Sequence, residues 1–82
     1  MYRFRVETIE AARGKLPRDE RRDVTQYFEN TAVEAEDPMR AYRILARRSA
    51  GHLSKESSPE RGILTLPDYG NCQVIVRAYA DD

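Results

Sequence analysis

At 82 residues the chain has room for one domain and one modest core, because a chain of this size buries only about 60% of the surface it exposes when unfolded. Hydrophobic residues make up 40% and charged residues 34%, with five tyrosines and two phenylalanines, a composition too apolar for an intrinsically disordered segment. Fourteen Lys plus Arg balance fourteen Asp plus Glu, so no overall field draws the molecule to nucleic acid or to an anionic membrane; any such attraction has to be local.

Twelve of the fourteen positive charges are arginine. Guanidinium binds carboxylate and phosphate in a forked, weakly hydrated geometry, which somewhat favours contact surfaces over plain solubility, although a GC-rich genome gives the same bias. A lone cysteine, Cys72, excludes an internal disulfide and any cysteine-based zinc site within one chain, so a reducing compartment is the expectation. No apolar run approaches the ~18 residues that span a bilayer, and "MYRFRVETIE" alternates where a signal peptide would be uniformly apolar. The expected localisation is cytoplasmic, with no membrane partner.

In residues 2–9, Tyr2, Phe4 and Val6 alternate with Arg3, Arg5 and Glu7, the period-two pattern of a strand with one buried face. Residues 10–23 hold Gly14, Pro17 and a mixed charge run, and read as a long exposed connection. Residues 24–35 fit two periods. Val24, Tyr27, Phe28 and Ala32 have helical spacing, while Tyr27, Val33 and Ala35 fit alternation. Their β-branched and aromatic content favours a strand, returning antiparallel to the first.

At "EDPM" a helix begins: Asp37 is a good N-cap, Pro38 suits the first helical position, and Glu34 and Glu36 lie near the positive end of the dipole. On a helical wheel Tyr42, Leu45, Ala46, Ser49 and Leu53 share one side with Met39 and Ala50 at its edge, giving an amphipathic helix of about 14 residues that Gly51 is placed to end. Residues 53–62 read as a polar loop. "ILTL", "PDYGN" and "CQVIVRAY" then form a hairpin whose last strand carries bulk on both faces, as a central strand does.

The predicted architecture is a single α+β domain over 1–82: a four-stranded antiparallel sheet with one helix packed on one face, in the order ββαββ. One helix leaves the opposite sheet face open to water, to a homodimer mate or to a partner, with Tyr79, Ile75 and Phe28 as candidates for that face.

Arg40, Arg43 and Arg47 recur at spacings of three and four on the helix side opposite Tyr42 and Leu45, with Arg48 flanking them. Ile44 falls among them, and an apolar side chain ringed by guanidiniums resembles the centre of a protein interface. Arg40, Arg43, Ile44, Arg47 and Arg48 are therefore the candidate partner-binding residues. The competing interpretation is a solvated helix face whose arginines pair with nearby acids. A basic loop, "RGKLPRDERR", adds Arg13, Lys15, Arg18, Arg21 and Arg22, although no aromatic lies between residues 5 and 26 for base stacking.

Catalytic and cofactor signatures are sparse. His52 is the only histidine and suits a helix end; Cys72 suits a packed strand position. Ser57 and Ser58 lack a nucleophile-elbow context, and Gly14, Gly62 and Gly70 form no phosphate-binding loop. Glu34, Glu36 and Asp37 could hold Mg²⁺, but a helix cap explains them more simply. No catalytic, metal or cofactor residue is expected.

The layout resembles short phage and mobile-element proteins in which a "V-x-A-x-D-P" strand end runs into a helix with "A-Y" and a terminal hairpin closes the sheet; here these are Val33, Ala35, Asp37, Pro38, Ala41 and Tyr42. In size and order it is similar to small anti-CRISPR proteins. That resemblance implies a non-enzymatic inhibitor or adaptor that occupies a surface of a protein or nucleoprotein complex. Two alternatives stay open: a nucleic-acid-binding domain using the arginine helix face with the 13–22 loop, and a small toxin-type ribonuclease working through Arg, Lys and Tyr.

Overall fold

A computed structural model describes residues 1–81, in which a four-stranded antiparallel sheet carries two helices on one face. The elements are β1 (Tyr2–Glu10), α1 (Arg18–Glu29), α2 (Pro38–Arg48), β2 (His52–Leu53), β3 (Gly62–Leu66) and β4 (Cys72–Ala80), with a 3₁₀ turn at Pro67–Tyr69. The strand order is β1-β4-β3-β2. No helix among the described residues is long and apolar enough to cross a membrane.

The α+β class, the four strands, the first strand, the helix at Pro38 and the terminal hairpin match expectation. The order ββαββ and the single helix do not. The expected strand over residues 24–35 is corrected: its first half, through Glu29, is helix and the rest is a linker, because α1 starts after Pro17 and absorbs the end of the expected 10–23 connection. Asp19 and Glu20 sit in its first turn, where the dipole favours them. Its buried stripe is narrow, Val24 and Phe28 one turn apart. The β-branched residues that suggested a strand are accommodated locally, since Thr25 and Thr31 each donate a hydroxyl hydrogen bond to the carbonyl four residues back. Of the expected strand only a bridge survives, with Val33 exchanging both backbone hydrogen bonds with Tyr2 at the outer edge of β1.

Strand β1 therefore pairs with β4 at the far end of the chain, and β4, bonded to β1 and β3, is a central strand as its two bulky faces require. A bulge between Val6 and Thr8 shifts the alternation of β1, so Phe4 and Ile9 both reach the helix-covered core. That core is continuous through Phe4, Val24, Phe28, Leu45, Leu64 and Val74. Phe28, expected on the open sheet face, instead lies in it, only 1% exposed.

Helix α2 begins as expected, with the Asp37 side chain accepting a 2.9 Å hydrogen bond from the Arg40 N–H and Pro38 in the first turn. It ends sooner, at Arg48. The left-handed residue after it is Ala50 (φ 54°), not Gly51, and the Ala50 and Gly51 N–H groups donate back to the Arg47 and Ala46 carbonyls in a Schellman pattern. Gly51 is needed for a different reason: a Cβ there would meet the Leu66 side chain at 2.9 Å and the Thr65 carbonyl at 3.0 Å. The early end frees His52 and Leu53 to form β2 against Thr65 and Leu64. The 53–62 loop is thus shorter than expected and internally bonded, with Ser58 and Arg61 exchanging two 2.9 Å backbone hydrogen bonds.

Candidate functional site

The amphipathic period of α2 sorts its side chains into two sets. Ala41, Tyr42, Leu45 and Ala46 face the sheet and are buried; Arg40, Arg43, Arg47 and Arg48 are exposed. The four candidate arginines do share the outer side, but they are not equivalent.

Arg40, at the helix start, reaches Glu36 at 3.4 Å and Asp37 at 3.7 Å, so two of the three acids considered for a metal are engaged with a guanidinium. Arg48, at the helix end, donates from Nη1 to the Ala32 carbonyl at 3.1 Å, while its own carbonyl accepts the Tyr27 hydroxyl at 3.1 Å. It straps α1, the 30–37 linker and α2 together. Arg43 and Arg47, one turn apart in the middle, have no ion pair among the described residues. Ile44 is half-buried and packs against the core cluster, so it is less the exposed centre of a ring than the wheel suggested.

The inner side is held by Tyr42. Its hydroxyl accepts the Ala78 N–H and donates to the Pro59 carbonyl, both at 2.9 Å, closing the gap where β3 stops alongside β4. Its ring lies so close to Gly62 that a Cβ there would fall 2.5 Å from Cδ1. Burial pushes the Tyr42 phenol above its ordinary pKa, only partly offset by the Ala78 hydrogen bond and by Arg77. The other perturbed group, Cys72, is buried in β4; burial raises its thiol and Arg21 offsets that only in part, which keeps it protonated and a poor nucleophile. His52, expected at the helix end, lies exposed in β2.

The basic segment is a loop only in its first half. From Arg18 onward it is helix α1, and Arg22 reaches Asp19 at 3.4 Å.

A second cationic surface lies on the uncovered sheet face. Arg5 and Arg77 are direct cross-strand partners, with Arg3 opposite Tyr79 on the next outward-facing row. Arg5, Glu7, Arg77 and Tyr79 line a shallow hollow of about 430 Å³. Tyr79 is 46% exposed, as the alternation of β4 implied; Ile75 is on the same face but only 8% exposed, paired with Ile63. Alternation placed Arg5 and Arg77 outward, but bringing them together required the β1–β4 pairing, which the expected order did not contain. Compared with known proteins, the chain matches no family model, no curated protein and no solved structure.

Proposed function

We propose that this chain is a small non-enzymatic interaction protein, an inhibitor or adaptor of the anti-CRISPR kind that binds a protein or nucleoprotein complex through the outer side of α2. The observation that supports the reading is the division among the α2 arginines. Arg40 and Arg48 serve the fold at the two helix ends, while Arg43 and Arg47 between them are exposed without an ion pair among the described residues. Arginines of this kind, flanking a half-buried isoleucine, suit forked contact with carboxylates or phosphates of a partner. Arg40 and Arg48 then form the rim of the contact and Ile44 its apolar floor.

The test is affinity capture with quantitative mass spectrometry, comparing the wild-type chain with Arg43→Glu/Arg47→Glu. Ile44 is left intact because a charge there would strike the core cluster. The partner enriched by the wild type is expected to fall by about tenfold or more with the reversed charges, since central interface arginines carry a large share of binding energy. Equal enrichment by both proteins contradicts the helix-face reading.

A further inference from the structure

The open sheet face carries an arrangement that folding alone does not favour. Arg5 and Arg77 stand directly opposite each other on β1 and β4, and like charges in that position destabilise a sheet. Neither is in an ion pair among the described residues. Arg3, one outward row away, is different: it reaches Asp81 at 3.7 Å and is to that extent neutralised. The single acid lining the same hollow, Glu7, sits at the β1 bulge and makes no ion pair with either guanidinium. The lining of this hollow thus carries two cations and one anion; Glu29, which borders Arg5 and Tyr79 from the neighbouring hollow, accepts the Val6 N–H at 3.0 Å and makes no ion pair with either guanidinium among the described residues.

Tyr79 supplies the second half of the site. It is one of three large hydrophobic side chains left exposed among the described residues, and it borders the same hollow as the two guanidiniums. A pair of forked donors that can grip one phosphate, next to an exposed aromatic ring, is the pairing by which sheet surfaces hold a single strand: the cations follow the backbone and the ring takes a base. A carboxylate would satisfy the guanidiniums equally well but would leave the ring without a stacking partner. The hollow is open and shallow, which suits an extended strand crossing the sheet.

We propose that Arg5, Arg77 and Tyr79 form a binding site for single-stranded nucleic acid, one phosphodiester held between the guanidiniums and one base stacked on Tyr79. This site is on the opposite face of the sheet from the helices, and it does not depend on α2 being a contact surface. It extends the proposed function by giving a nucleoprotein partner's exposed strand a place to lie.

The experiment is fluorescence anisotropy with a fluorescein-labelled oligouridylate and oligothymidylate, titrated from low to moderate salt. Binding is expected at ~25 mM salt. In Arg5→Gln/Arg77→Gln it should weaken by about tenfold or more, with the log–log salt slope reduced by about 0.7, one phosphate contact on a single strand. Tyr79→Ala should weaken it by about 5- to 150-fold, while Tyr79→Phe keeps it. The double glutamine variant should melt no lower than wild type, because it relieves a like-charge pair; a loss of binding with no loss of stability separates recognition from folding. No binding of either strand by the wild type at low salt overturns the proposal. So does binding that these variants leave unchanged, or that is lost only with Arg43→Gln/Arg47→Gln. Displacement of the oligonucleotide by polyglutamate as effectively as by unlabelled oligouridylate would assign the site to an acidic protein instead.

Discussion

On the inner side of α2 each side chain is fixed by what surrounds it. Tyr42 is the clearest case, with its ring against Gly62 and its hydroxyl holding one backbone donor and one backbone acceptor. On the outer side, Arg43 and Arg47 are set only by helix geometry, and the groups within their own chain make no ion pair with them among the described residues. The difference teaches how to separate residues that hold this fold from residues available to something outside it. Exposure is not enough, since Arg40 and Arg48 are exposed as well and both are engaged.

The sharpest contrast comes from removing one atom on the inner side. Tyr42→Phe keeps the ring and deletes the hydroxyl, leaving the Ala78 N–H and the Pro59 carbonyl unpaired. A loss of about 1–3 kcal/mol is expected, measured by urea unfolding. The same residue sets an alkaline limit. Because the folded-state pKa of Tyr42 is raised, folding favours the neutral phenol; this contribution is complete below the ordinary value of 10.0 and is lost as pH climbs through and above it. Wild-type stability should therefore fall above about pH 10 more steeply than that of Tyr42→Phe. Parallel pH profiles of the two proteins would break this account of the inner side.

A smaller effect, of opposite sign, is expected where α2 ends. Ala50 is exposed and holds the left-handed conformation that a helix C-terminus usually gives to glycine. Ala50→Gly should stabilise the protein by roughly 0.5–1 kcal/mol, read as a rise in melting temperature. A drop would mean that the alanine makes contacts worth more than its backbone strain.

The asymmetry in α2 also bears on what the sequence made legible. The N-terminus of α2, its buried side and the β3–β4 hairpin were readable because each rests on local rules: an Asp-Pro cap, a 3.6-residue period, and alternation around a Pro-Asp-Tyr-Gly-Asn turn. Helix α1 was not. Its apolar stripe is two buried residues wide, and Thr25 and Thr31 weigh toward strand until their hydroxyls are seen bonded within the helix. Pro17 followed by Asp19 and Glu20 was the signal that could have settled it. Strand β2 was unreadable because two residues carry no period, and its existence depends on Ala50 ending α2 early.

For the candidate site, the wheel assembled the correct outer side but could not rank its arginines. Ranking needs the Ala32 carbonyl, which the 30–37 linker brings to Arg48, a contact no spacing rule reveals. The register that sets Arg5 against Arg77 was hidden for a related reason, being a pairing of the two ends of the chain. Edge protection has the same non-local origin. The Glu29 carboxylate accepts the Val6 N–H at 3.0 Å, so α1 caps part of the strand edge that the bridge at Tyr2 begins to cover.

The central claim, that the α2 arginines divide into two that serve the fold and two that do not, is tested most directly by urea unfolding of two double variants beside the wild type. Arg43→Gln/Arg47→Gln should stay within about 0.5 kcal/mol of wild type, as surface substitutions without structural partners do. Arg40→Gln/Arg48→Gln should lose about 1–2 kcal/mol, from a charged hydrogen bond to the Ala32 carbonyl and the pairing at the helix start. Equal losses in the two variants, or a larger loss for Arg43→Gln/Arg47→Gln, would contradict the division.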